Sequence, residues 1–305
     1  MLRTIQGKKL FMITQPDHAE VAGYLAAHWG NEEFALPGYF ASSRDPERLR
    51  AETVFAIATH DNGWWEWEAT PEISDIDGLP LNLSDVLKNQ AEGMNRWHLA
   101  IPRFSKDHPY ASLLISFHAY WLYAHSYETD SNPAFIHPLF WKGSQLFHHN
   151  DEELKNAQKF VAEIKDIQND IFSRLRKDTD SVDWIEPENL YPNARLLQLL
   201  DGLSLYICSN LIRPSKGEAK GLGEDEFDLL EVPRKNWEDR VKINIKPLGE
   251  TRIACYPYPF DTDPLSVIVP AKVFDLPLIQ FPHFQTGWNS QQIQHIQFEF
   301  CSSNN

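Results

Sequence analysis

Two rhythms of hydrophobic and polar positions run along this chain, and the change between them comes late. Residues 2–5 and 9–14 flank Gly7, and Leu10-Phe11-Met12-Ile13 is a compact apolar run, which predicts a hairpin over 1–15. Helical spacing follows. Pro16-Asp17-His18 opens a segment with Val21, Ala22 and Leu25 on one side that closes near Trp29-Gly30. Asp45-Pro46 opens a second, with proline suited to the first turn. It runs through Leu49, Thr53, Val54 and Ile57 to His60-Asp61 and stops at Asn62-Gly63. Residues 109–127 are apolar and aromatic nearly all round, as in a helix buried in a core. Residues 152–177 carry charge along one side and predict a surface helix, whereas 192–211 is apolar except for Asp201 and Gly202.

Residues 214–235 are rich in Gly, Lys and Glu and read as an exposed connection. Beyond Trp237 the period drops to two in 241–245 and 293–300, with a short apolar run at 265–269. Pro257, Pro259, Pro264 and Pro270 exclude a long helix there. About three to five strands of ordinary length fit this tail, and pairing with the N-terminal hairpin would cover open edges of both. The expectation is a mainly α protein: a hairpin over 1–15, a helical domain over 16–213, a connection over 214–235 and a β-rich tail over 236–305, α+β overall.

Composition narrows the partners. The 305 residues are 42% hydrophobic and 23% charged, ordinary for a packed globular chain. A net charge of -15 repels phosphate backbones and anionic membrane surfaces, so neither nucleic acid nor membrane is an expected partner. The first nine residues lack the apolar core of a signal peptide, and no uncharged run approaches the roughly 20 residues of a membrane span. Cys208, Cys255 and Cys301 are widely spaced and form no Cys-x-x-Cys pair, which argues against a disulfide framework. The cytoplasm is the expected location, with a small-molecule substrate as partner and self-association into a homo-oligomer left open.

Three stretches set polar groups into apolar helical segments: Gln15-Pro16-Asp17-His18, Thr59-His60-Asp61-Asn62-Gly63-Trp64 and Leu199-Leu200-Asp201-Gly202. A buried carboxylate costs several kcal/mol unless it is paired, hydrogen-bonded or bound to metal. Two imidazoles and two carboxylates suit a divalent first-row ion, Fe, Mn, Co or Zn, with positions left for water. The candidate ligands are therefore His18, His60, Asp61 and Asp201. Neighbours on a helix point about 100° apart, so His60 and Asp61 converge only if the helix ends between or beside them, as Asn62-Gly63 allows. Trp64, Trp65, Trp67, Trp97 and Trp121 read as core or pocket wall, with Trp64 placed to stack on substrate. Arg96 and Arg103 are the nearest cations for an anionic substrate, unless both are solvated surface arginines.

A histidine, a later His-Asp doublet and a distant helical Asp resemble the HD-domain superfamily of metal-dependent phosphohydrolases and a few di-iron oxygenases. That resemblance implies an HD-like helical core in which His18, His60-Asp61 and Asp201 hold the ion. The wider pattern, including Pro257-Tyr258-Pro259-Phe260, is also similar to a bacterial family known only as a domain of unknown function. By the superfamily resemblance, His118 and His125, seven residues apart on one predicted helix, suit a second ion; hydrogen-bonded core histidines are the other reading. The functional expectation is hydrolysis of a small phosphate ester or nucleotide-like substrate, with Asp61 or Asp17 handling the proton of the attacking water. A di-iron oxygenase and a non-catalytic binding or scaffold protein are the alternatives.

Overall fold

The computed structural model describes residues 1–86, 90–124, 133–141, 150–249, 251–276 and 284–302. The chain begins with β1 (Leu2–Gln6) and β2 (Lys9–Ile13), which pair antiparallel from Leu2↔Ile13 to Gln6↔Lys9. Helix α1 (Gln15–Ala27) starts where Thr14 accepts the Asp17 N–H and Pro16 occupies the first turn. Helix α2 (Pro46–Ala58) repeats the device with Asp45 and Pro46. Then come α3 (Trp65–Ala69), α4 (Leu83–Val86), α5 (Gln90–Arg103), α6 (Pro109–Ala124), α7 (Asp151–Leu175) and α8 (Pro187–Cys208). Helix α7 is capped by Asn150 and turns its charged side outward, as its pattern predicts. Helix α8 is buried on nearly every face, and it packs against α1, α2 and α6.

The remaining strands are β3 (Phe227–Pro233), β4 (Arg240–Gly249), β5 (Arg252–Tyr256), β6 (Leu265–Asp275) and β7 (Ile293–Ser302), with α9 (Phe284–Ser290) before the last. The seven strands among the described residues form one sheet in the order β1-β2-β6-β7-β5-β4-β3, antiparallel except for the β5–β7 pair. The hairpin joins the tail through β2 and β6, from Lys9↔Asp275 to Met12↔Lys272. Helices α1 and α8 lie against β6 and β3, so one hydrophobic core runs between bundle and sheet.

The expectation of a mainly α protein is corrected by this sheet. About 46% of the structure is helical and about 21% strand, a substantial α+β fold with a curled seven-stranded sheet. Hairpin and tail are each readable locally, but their union links residues more than 250 positions apart, which no local pattern carries. Strand β3 also falls inside the stretch read as an exposed connection. Phe227, Leu229 and Val232 are buried, and a register shift between Leu229 and Val232 breaks the alternation that would have marked a strand. Among the described residues no helix is long and apolar enough to cross a membrane.

Candidate metal centre

Local backbone shape brings the doublet to one point. Helix α2 ends at Ala58, and Thr59 and Asp61 leave helical values (φ -120, ψ 12 and φ -95, ψ 22), so His60 and Asp61 no longer fan apart. The Asn62 amide ties this turn to the carbonyls of Thr59 (2.8 Å) and Ala100 (3.3 Å), joining it to α5. His18 enters from the first turn of α1 and Asp201 from the middle of α8, and all four side chains are buried.

The four converge. His18 Nε2 lies 3.0 Å from Asp61 Oδ2 and 3.7 Å from Asp201 Oδ1. His60 Nε2 lies 3.7 Å from Asp61 Oδ2 and 3.6 Å from Asp201 Oδ1. Donor atoms held about 2.1 Å from one ion are themselves roughly 3.0 Å apart in octahedral and roughly 3.4 Å apart in tetrahedral geometry. The observed spacings run from 3.0 to 3.7 Å, three of them a little longer than the tetrahedral separation, and His18, His60 and Asp201 can hold a metal ion.

Hydrogen bonds set which nitrogen of each ring is free. The Ser204 hydroxyl donates to the Asp201 carbonyl (2.9 Å), so its oxygen accepts from His18 Nδ1–H at 2.8 Å. His60 Nδ1–H donates to the Ile57 carbonyl at 2.8 Å. Both Nε2 lone pairs therefore face carboxylate oxygens, and buried His60 Nε2 has no hydrogen-bond partner. Lone pair against carboxylate is repulsive until a proton or a metal ion stands between them.

Charge states follow from the same contacts. Burial alone would lower the His60 imidazole, but Asp61 and Asp201 outweigh it and raise it from 6.5 to about 9. Burial would raise Asp201, yet His137 and His60 hold it well below the usual carboxylate range. His118 is driven well below 6.5 mainly by burial, so it is neutral near pH 7.

In the metal-free protein His60 makes stability depend on pH. His60 is raised in the folded state, so its stabilising contribution is complete below about pH 6.5 and lost as pH rises through about 9. The melting temperature of chelator-treated protein is expected to fall across that window, and metal-loaded protein, whose ion replaces the proton, is expected to fall much less. Equal slopes with and without chelator contradict it.

The centre opens into a cavity of about 50 Å³, room for a few waters, with His18, Asp61 and Asp201 in its wall. His118 lines it too, and Trp64, Leu83, Trp97, Leu122, Leu139 and Leu205 are its apolar part. Gln15 also lines it, and its Oε1 is buried without a partner.

A family described as Protein of unknown function (DUF3891) matches residues 1–275. The chain belongs to this family. No curated protein and no solved structure matches it. The family's description carries no activity. The Pro257–Phe260 motif serves the fold: Pro259 accepts the Gly30 N–H (2.9 Å), and Asn31 bonds the carbonyls of Tyr258 (2.8 Å) and Phe260 (3.1 Å). It clasps the chain just after α1.

Other candidate residues fall elsewhere. Asp17, next to His18 on α1, accepts the Thr14 hydroxyl at 2.6 Å and faces a depression beside Ser266 and Ile268, away from the centre. Arg103 is tied to exposed Glu66 (2.8 and 2.9 Å) over Trp65. Arg96 pairs with Glu92 at 2.6 Å and lies 5.8 Å from the Trp64 ring, and it is not among the residues lining the cavity. His118 does reach the centre, with Nε2 3.4 Å from Asp201 Oδ2, while His125 lies outside the described residues. Sequence reading missed His137, whose Nε2 lies 2.8 Å from Asp201 Oδ2. Its only signal was a histidine set in the apolar stretch Phe135-Ile136-His137-Pro138-Leu139.

Proposed function

We propose that this protein is a metal-dependent hydrolase of a small substrate. A divalent transition ion, Fe, Mn, Co or Zn, would be held by His18 and His60 through Nε2 and by Asp61 and Asp201 through carboxylate oxygens. The carrying observation is that both imidazoles are fixed with the proton on Nδ1, aiming two lone pairs at two carboxylates. The arrangement of one His, a His-Asp doublet and a distant helical Asp supports an HD-type reading of the centre.

When bound, the ion lowers the pKa of a coordinated water and polarises the bond under attack. Asp61 then has a second task. The oxygens of Asp201 face four imidazoles, whereas Asp61 meets two through Oδ2 and also lines the cavity. Asp61 is the carboxylate that orients the water and holds its proton. The apolar wall, Trp64 and Trp97 included, excludes bulk water from the reaction. A small phosphate ester is the proposed substrate class.

The test is hydrolysis of p-nitrophenyl phosphate and bis-p-nitrophenyl phosphate by metal-loaded protein. Expected is turnover that chelator abolishes and that Asp61→Ala lowers at least 100-fold, roughly the scale of losing a positioned base, with the circular dichroism spectrum unchanged. Stoichiometric metal without turnover of either ester, or turnover that survives chelation, would overturn this reading; the first result favours a binding or scaffold role.

A further inference from the structure

Asp201 has two faces. Its Oδ1 looks toward His18 (3.7 Å) and His60 (3.6 Å), and its Oδ2 toward His137 (2.8 Å) and His118 (3.4 Å). The donor atoms of His118, His137 and Asp201 all lie within 4.8 Å of one another, so by spacing alone they also make a set for an ion. What separates the two sets is where each ring keeps its proton.

His137 is fully buried and stands at the start of the turn Pro138–Phe140, where its Nδ1 accepts the Leu139 N–H at 3.1 Å. A neutral ring that accepts at Nδ1 carries its proton on Nε2. That is the opposite of His18 and His60, which donate from Nδ1. For His137 to ligate through Nε2, the ring would have to move its proton to Nδ1, against a backbone N–H that is already there. The 2.8 Å approach to Oδ2 falls outside straight hydrogen-bond alignment, yet at that distance an N–H pointing toward the carboxylate is attractive and a bare lone pair is not.

Helix α8 holds the His137 segment in place. Gln198 Nε2 donates to the Phe135 carbonyl (2.9 Å), and the buried Arg195 guanidinium donates to the Ile136 carbonyl (2.8 Å). Gly202 removes the last obstacle, since a Cβ there would sit 2.5 Å from Pro138 Cγ. Arg195, Gln198 and Asp201 follow at three-residue intervals, about 60° apart from one to the next around the helix, so the side chains that fasten the segment and the carboxylate it reaches share one side of α8.

We infer that His137 is a positioning residue, donating from Nε2 to Asp201 Oδ2 and so turning Oδ1 toward a single ion at His18 and His60, and that it is not a ligand to a second ion. This rests on the metal reading above. Partners that orient a ligating side chain typically contribute on the order of 10–100-fold in metal affinity.

The experiment uses the full untagged chain with Co²⁺ as probe, reading stoichiometry, affinity by chelator competition, and the visible absorption of the bound ion. His137→Asn is the informative variant. Its side-chain oxygen can still cap the turn at Leu139, but its amide is too short to reach Oδ2. Expected is one Co²⁺ per chain in wild type and variant, with the variant on the order of 10–100-fold weaker and its absorption altered as Asp201 reorients. His137→Ala should behave alike, and a turn lost by misfolding would separate the two variants. If wild type binds two ions and His137→Asn one, or if the variant keeps wild-type affinity and spectrum, the inference fails while the metal reading stands. Wild type that binds no Co²⁺ overturns both.

Discussion

Asp201→Asn is expected to lose at least about 10³-fold in metal affinity, roughly 4 kcal/mol, and to make the protein indifferent to chelator. Asp201 is where the centre meets: ring nitrogens of His18, His60, His118 and His137 lie 2.8–3.7 Å from its oxygens. The amide keeps the volume and removes the charge, so no cavity complicates the result. It also presents an N–H₂ group where either Oδ1 or Oδ2 had accepted. Without its charge the proton on His60 loses one of the two carboxylates that raise it to about 9. Removing one partner of a buried charge cluster costs about 3–5 kcal/mol, and the metal-free variant should therefore melt well below metal-free wild type. Melting temperatures of both proteins, each with and without chelator, check this. A variant that still gains stability from added Zn²⁺ would show that Asp201 is not a ligand.

The second large effect is structural. Gly63→Ala is expected to destabilise the protein by ~3 kcal/mol, near the upper end of ordinary overpacking. A methyl on Gly63 would lie 2.0 Å from the Arg96 carbonyl oxygen and 2.8 Å from its carbon, with Ala100 Cβ at 3.2 Å. These first two atoms are backbone within α5, so no side-chain rotation relieves the clash. Either α5 moves away or the turn after the His-Asp doublet moves, and the Asn62–Ala100 hydrogen bond is strained in both cases. Trp97 of α5 lines the cavity, so weaker metal binding should accompany the lost stability. Urea unfolding is the measurement, with a lower midpoint at unchanged slope. A change below about 0.5 kcal/mol, the range of substitutions that touch nothing, would mean that the packing around this turn is looser than described.

How much was legible follows from which contacts are local. His18, His60, Asp61 and Asp201 stand out in the chain because an ionisable group in an apolar helical setting demands compensation, and that demand is visible without coordinates. Asp17 is adjacent to His18 in sequence, but adjacency on a helix places it a quarter-turn or more away, against the sheet. Arg103 found a surface partner, Glu66, that only the α3–α5 packing supplies. His137 lies in a short turn outside any periodic segment, and its approach to Asp201 depends on Gly202, Arg195 and Gln198 some 60 residues later. The sheet was underestimated for the same reason: β2–β6 and β5–β7 pairings join distant segments, and the β3 irregularity hides its period.

The central claim, one ion held by His18, His60, Asp61 and Asp201, is tested most directly by counting. Untagged protein is loaded with Zn²⁺, desalted and analysed for metal by elemental mass spectrometry, beside the His18→Ala/His60→Ala double variant. The account predicts close to one Zn²⁺ per chain in wild type and none in the double variant. Zinc retained equally by both, or by neither, would contradict it.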